Sequence, residues 1–157
     1  MAKKIYEACR RLLTTCANCQ PDENILIVTD TDSLEIGMAL WDAAEEFPKK
    51  TMVMMEPRKM HGEEPTPLVA AAMLKADVIF RATKFSLSHS HARRDACAAG
   101  ARDLNCCDYS IEMLEKGGLY TDFEADRKYV DQLLKSMANG DQVHITSEAG
   151  TDYYASI

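Results

Sequence analysis

The sequence predicts an α/β protein of the three-layer Rossmann/flavodoxin-like class, with a mostly parallel sheet between two layers of helices and a hairpin segment at the C-terminal end. Two observations indicate this class. Short apolar runs rich in β-branched residues recur roughly every 25 residues, and each is followed by a stretch with helical apolar spacing. Because strands covered on both faces are continuously apolar, these runs favour a parallel sheet packed between helices.

A helix and then a strand are predicted at the start of the chain. The apolar residues of the helix recur at helical spacing, which indicates one buried face. They are Ile5, Ala8, Cys9, Leu12, Leu13 and Cys16. After Pro21, the run 25–28 predicts the first strand, covered on both faces.

Three later apolar runs predict the other strands of the sheet. They are residues 52–55, 78–80 and a weaker run at 104–107. The helices between them have recognisable starts, among them Asp32 with Glu35 three residues on, and Thr66 followed by Pro67. Further helices are predicted from Ser90 to Ala99 and from Ser110 to the Gly117-Gly118 pair.

The pattern changes towards the end of the chain. Thr121 and Glu124 have the spacing of a capping box for a long helix that is closed by Gly140. Its apolar stripe comprises Tyr129, Val130, Leu133, Leu134 and Met137. The runs 143–146 and 153–156 alternate around a turn and predict a hairpin. We therefore expect residues 1–140 to form an α/β domain, and 141–157 to begin a connection to a C-terminal domain that this sequence lacks.

Composition excludes several classes of function. The 157 residues carry a net charge of -7, which opposes binding to nucleic acid. No apolar run reaches the length of a membrane span, and no signal peptide is recognisable, so we expect no membrane contact and a cytoplasmic location. Six cysteines, two of them adjacent, are more typical of reduced thiols than of a disulfide framework.

Polar residues follow each predicted strand, at the edge of the sheet where such folds bind ligands. The residues predicted to bind substrate are Asp30, Asp32, Thr83, Lys84, Ser86 and Ser88, with His89 as an auxiliary catalytic group. Helix capping and ordinary loop polarity explain the same residues, and both interpretations stay open. His89 and His91 do not form a metal site by themselves, and a zinc site built from cysteines is disfavoured. The long connection 56–65 is interpreted as a mobile lid or a floppy loop.

The segment 82–93 (ATKFSLSHSHAR), continued by 99–102 (AGAR), resembles the thermophilic metalloaminopeptidase family, which includes aminopeptidase T and leucyl aminopeptidases. Pro65-Thr66-Pro67 and the AGTD segment at 149–152 resemble the same family in the same order. That family also contains 2,5-dihydroxypyridine dioxygenase. The resemblance therefore implies two chemistries, peptide hydrolysis at a two-metal site or ring opening at a single non-haem iron.

In both chemistries, the resemblance implies that the metal ligands belong to the missing C-terminal domain, so that this chain alone holds no cofactor and is inactive. The leading hypothesis is the N-terminal domain of a metal-dependent aminopeptidase with roles in the substrate cavity and in dimerisation, a homo-oligomer at full length. One alternative is the N-terminal domain of the dioxygenase; in that case the resemblance implies, from the motif position of His89, that this histidine is a base near the substrate. The other alternative is a stand-alone module that binds a small ligand.

Overall fold

Four parallel strands form the centre of the first part of the computed structural model, which describes residues 2–157. They are β1 (Ile25–Asp30), β2 (Lys50–Met55), β3 (Val78–Ala82) and β4 (Arg102–Asn105). Their order in the sheet is β2-β1-β3-β4, and every neighbouring pair is parallel. This is the flavodoxin-like order, so the predicted fold class is confirmed.

Helices cover both faces of this sheet. They are α1 (Lys3–Arg11), continued by a π-helical segment (Leu12–Cys16), then α2 (Leu34–Ala43), α3 (Pro67–Met73), α4 (His91–Ala98) and α5 (Ile111–Lys116), the last followed by a 3-10 turn (Gly118–Tyr120). Alternate residues of the central strands enter two cores. Ile27 and Phe80 pack with α1, α2 and α5 on one face, whereas Val28 and Ile79 pack with α3 and α4 on the other.

Close packing of α2 on β1 depends on a glycine. A Cβ atom placed on Gly37 would lie 2.8 Å from the Oγ1 atom of Thr29, which is fully buried in β1. Any side chain at position 37 would therefore push the helix from the sheet. The helix begins beside the end of β1, so this contact also fixes the loop that follows the strand.

Several predicted boundaries are wrong in detail. Helix α2 is preceded by Ser33 at its N-cap rather than by Asp32. β4 ends at Asn105, so Cys106 and Cys107 follow the strand instead of extending it. Cys16 is exposed, although the helical stripe placed it in the core, because the wider π-helical turn moves it off that face.

A second unit runs from Thr121 to Ile157. It contains α6 (Phe123–Met137) and an antiparallel hairpin of β5 (Gln142–Thr146) and β6 (Asp152–Ser156), which confirms the predicted hairpin. The N-cap of α6 is Asp122, whose carboxylate accepts the N–H groups of Glu124 and Ala125, so the predicted cap at Thr121 is off by one residue. No residue of α6 is buried, and its apolar stripe is exposed.

Among residues 2–157, no helix has both the length and the apolar character needed to cross a bilayer.

Candidate functional site

The candidate site lies where β1 and β3 end side by side. From β1 the chain passes through α2 to β2 on one side, and from β2 it returns through α3 to β3 on the other side. The two helices therefore cover opposite faces of the sheet. In open α/β sheets such a switch point forms a crevice beyond the ends of the two strands, here β1 and β3, and ligands usually bind in it. The loops that begin at Thr31 and at Thr83 border this crevice.

Asp30 joins the two loops from beneath. The residue is fully buried, and its Oδ1 and Oδ2 atoms accept the backbone N–H groups of Ser33 at 2.9 Å and Lys84 at 2.7 Å. A buried carboxylate needs such donors, and both of its oxygen atoms have one. In this structure Asp30 therefore fixes the backbone of the crevice; that it also binds substrate stays a prediction.

Lys84 extends over the rim of the crevice. Its Nζ atom lies 2.7 Å from an Oδ1 oxygen of Asp108, which follows β4, and both side chains are largely exposed. The hydrogen bond from Lys84 is the main cause that holds the pKa of Asp108 below its ordinary value, and the positive charge of Lys84 adds to it. Asp108 in turn raises the pKa of Lys84, and Asp32 adds to this effect. A charged ammonium group thus stays at the rim.

Serine hydroxyls connect the β3 loop to a buried ion pair. The Oγ atoms of Ser86 and Ser88 lie 2.8 Å apart, and Ser88 accepts a hydrogen bond from Arg81 at 3.2 Å. Arg81 also binds both carboxylate oxygens of Asp103 at 2.6 and 2.7 Å. Arg81 itself is buried within β3. Thr83 is also buried, and its hydroxyl donates to the Phe85 carbonyl.

The connection after β2 is held against the β3 loop. The backbone N–H of Gly62 donates to the Ser86 carbonyl at 2.7 Å, and the N–H of Ser86 donates to the Nδ1 atom of His61 at 3.0 Å. Glu64 accepts the N–H groups of His91 and Ala92 at the start of α4, which lowers the pKa of its carboxyl. Because these contacts hold it against the β3 loop and α4, the connection 56–65 is an ordered segment rather than a floppy loop.

The remaining predicted residues stand at the surface of the same rim. His89 is exposed and has no hydrogen-bond or ionic partner among residues 2–157. It lies beside the β2 connection, since a Cβ atom on Gly62 would be 3.6 Å from the His89 Cβ atom. Asp32 is exposed next to the crevice. The structure thus brings the β1, β2 and β3 loops together, as their placement after parallel strands predicts.

Metal ligands and reactive thiols do not gather here. Within residues 2–157, no three His, Cys, Asp or Glu side chains are placed to share a metal ion. Burial raises the pKa of Cys9 and of Cys106 to about 12, so both thiols stay protonated and unreactive at neutral pH. Cys16 is exposed whereas Cys19 is buried, an arrangement unlike a redox pair at a helix start.

Two residues that shape this rim, His61 and Glu64, were not among the predicted site residues. His61 binds the β3 loop and Glu64 binds the start of α4, and these partners are 25 to 28 residues away in the chain. A histidine and a glutamate in a polar loop give no periodic signal. The pointers to a function were the length of that loop and its position after a strand, at the edge where such folds bind ligands. Their partners could be identified only from the folded chain.

Among known proteins, one family model matches the chain and no individual protein does. A family model named NicX, described as 2,5-dihydroxypyridine 5,6-dioxygenase, matches residues 4–157. Neither a curated protein nor a solved structure matches the chain. Of the two chemistries implied by the resemblance, the match supports the dioxygenase, and the aminopeptidase hypothesis gains no support.

Proposed function

We propose, because this chain belongs to the NicX family of 2,5-dihydroxypyridine 5,6-dioxygenases, that the protein takes part in the oxidative opening of a hydroxylated pyridine ring. The observation that carries the proposal is the length of the match. It covers residues 4–157 and so includes all the loops of the strand-end crevice. The substrate is then an aromatic ring with ionisable hydroxyl groups, and both atoms of O2 enter the product.

In this proposal the crevice binds the ring and accepts a proton from one of its hydroxyl groups. His89 is exposed and unpartnered among residues 2–157, so one of its ring nitrogens is free to accept a proton from a ring hydroxyl. The Lys84 ammonium stands at the same rim and would stabilise the oxyanion that results. Direct substrate contacts by Ser86 and Ser88 remain predictions, as do those of the other rim residues.

The described residues do not fit an iron site. A non-haem iron centre of the facial-triad type needs three protein ligands, and no such group is present within residues 2–157. The roles proposed for these residues are therefore limited to binding, orientation and proton transfer. Following the family resemblance, we place the metal ligands in a further domain, and we retain the expectation of a homo-oligomer.

The test is O2 uptake by the full-length protein reconstituted with Fe(II) and supplied with 2,5-dihydroxypyridine. An oxygen electrode and the loss of ring absorbance should report one O2 consumed per ring opened. His89→Gln should lower kcat by about 100-fold, since a general base contributes at least that much. The matched control is His91→Gln, because the His91 ring is also exposed but pairs with Glu64; it should stay within about twofold of the wild-type rate.

Two results would count against the proposal. One is leucine release from leucinamide without O2 uptake, which would restore the aminopeptidase hypothesis. The other is His89→Gln with the wild-type kcat, which would remove the proposed base while leaving the family assignment in place.

A further inference from the structure

The ring of His61 has a fixed hydrogen-bond pattern. Its Nδ1 atom accepts the backbone N–H of Ser86 at 3.0 Å. A ring nitrogen that accepts a hydrogen bond carries no proton, so the proton of the neutral imidazole lies on Nε2. His61 therefore offers an N–H donor, not a lone pair, to a group that lies beyond Nε2.

Two neighbours fix the orientation of this ring. Phe85 meets it edge to face, with 5.3 Å between the ring centroids and 73° between the ring planes. Gly62, the next residue, donates its N–H to the Ser86 carbonyl and has a φ of 86°, a conformation that suits glycine. The hydrogen bonds at Ser86 run in both directions between the two loops, so the donor is held in place before any ligand arrives.

The Nε2 atom has no partner in the part of the chain that the structure describes. The side chain of His61 is exposed, and among residues 2–157 its only hydrogen bond is the one made by Nδ1. It stands on the same rim as Lys84 and His89, because its Nδ1 atom is bound to Ser86 in the β3 loop and the next residue, Gly62, lies beside His89. A ligand at this rim therefore has an exposed donor available to it.

His89 differs from His61 in this respect. No partner among the described residues fixes its tautomer, so either of its nitrogens can accept a proton. A substrate with two oxygen atoms needs both kinds of group: an acceptor for the hydroxyl that loses its proton, and a donor for the other oxygen.

We infer that His61 is a substrate-binding residue whose Nε2–H donates to one oxygen of the bound ring, while the backbone of Ser86 holds the opposite side of the imidazole. The inference rests on the proposed function and deepens it, because it assigns opposite hydrogen-bonding roles to two histidines of one site. It also gives the β2 connection a role in selecting rings that carry an oxygen at that position.

Two substitutions separate this role from a purely structural one. In His61→Asn the amide oxygen occupies the place of Nδ1 and can still accept the Ser86 N–H, but the distal donor is lost. In His61→Gln the amide nitrogen reaches the place of Nε2 and restores the donor, but the bond to Ser86 is lost. His91→Asn is the matched control, because it removes another exposed imidazole near the same loop.

The measurement is steady-state O2 uptake with 2,5-dihydroxypyridine by the full-length Fe(II) protein, together with the melting temperature of each variant. We expect His61→Asn to raise KM by about 10- to 100-fold at an unchanged melting temperature, the range for a hydrogen bond to a charged oxygen. We expect His61→Gln to raise KM by less than His61→Asn, because it keeps a donor but loses the Ser86 bond that holds this donor in place. His91→Asn leaves His61 intact and should keep KM within about threefold of wild type.

Each outcome decides the matter. A wild-type KM in His61→Asn overturns the inference, and so does an equal rise of KM in both His61 variants, because that would indicate loss of ring packing. If His61→Asn lowers the melting temperature, His61→Gln decides: a KM clearly below that of His61→Asn supports the inference, and an equal KM overturns it. Wild-type protein that consumes no O2 with this ring refutes the proposed function first, and the inference falls with it.

Discussion

Replacing Asp103 by asparagine should strongly destabilise the sheet. Asp103 and Arg81 lie on neighbouring strands, their side chains are only 3% and 1% exposed, and two hydrogen bonds of 2.6 and 2.7 Å join them. Among residues 2–157, Asp103 is the only carboxylate paired with Arg81, and the Arg81 NH1 atom is buried without a hydrogen-bond partner. Removing one member of a buried ion pair costs about 3–5 kcal/mol, because the other charge stays buried and uncompensated.

The assay follows unfolding in urea by the fluorescence of Trp41, the single tryptophan, which lies in α2 of the same unit as the ion pair. With an m-value of about 2 kcal/mol/M, a loss of about 3–5 kcal/mol lowers the urea midpoint by about 1.5–2.5 M. Asp95→Asn is the matched control. It makes the same chemical change in an exposed pair with Arg94, where about 0.5 kcal/mol or less is expected.

A second variant separates the charge from the packing. Arg81→Met combined with Asp103→Leu removes both charges and keeps apolar volume, so it should regain most of the lost stability. Unfolding of Asp103→Asn at the same urea concentration as Asp95→Asn would contradict this prediction. That result would mean that the guanidinium finds other compensation inside the sheet.

Two further predictions concern the packing around the crevice. Gly37→Ala should destabilise the chain by about 1–3 kcal/mol in the same urea assay, because its Cβ atom would lie 2.8 Å from Thr29 Oγ1. Gly118→Ala is the control and should not destabilise it, since no atom of the described residues lies within 4 Å of the added carbon. Glu64→Gln should lower the melting temperature above pH 4.5, by the equivalent of about 0.5 kcal/mol or less, because the Glu64 side chain is half exposed and solvent screens its charge. Because the folded-state pKa of Glu64 is depressed, this contribution should disappear as the pH falls through it; a gap that persisted at pH 2 would contradict the assignment.

The central strands could be predicted because their signal is local. β1 and β3 are buried on both faces, and burial on both faces demands an unbroken apolar run that can be read from the sequence. β4 was placed about two residues late, since its own residues, Arg102 to Asn105, are mostly polar and the apolar Cys106 follows the strand. An edge strand whose polar side chains form ion pairs does not present this pattern.

The caps of α2 and α6 show a different difficulty. In both, two neighbouring residues are chemically able to cap the helix, and the pattern of serine, threonine and aspartate cannot choose between them. Backbone geometry selects Ser33 over Asp32 and Asp122 over Thr121. At β1 the choice was constrained further, because Asp30 uses one carboxylate oxygen to hold the Ser33 N–H and the other to hold Lys84.

The crevice itself followed from fold class, but the roles within it did not. Parallel strands bring the loops after Asp30, Met55 and Ala82 to one edge, whatever those loops contain. Whether a histidine donates or accepts depends instead on the one atom that its other nitrogen faces. For His61 that atom belongs to a residue 25 positions away, and for His89 no such atom exists among the described residues. Two histidines that look equivalent in the sequence therefore differ in chemistry, because His61 is hydrogen-bonded to the β3 loop and His89 is not. The packing of the two loops is what places a fixed donor beside a free acceptor.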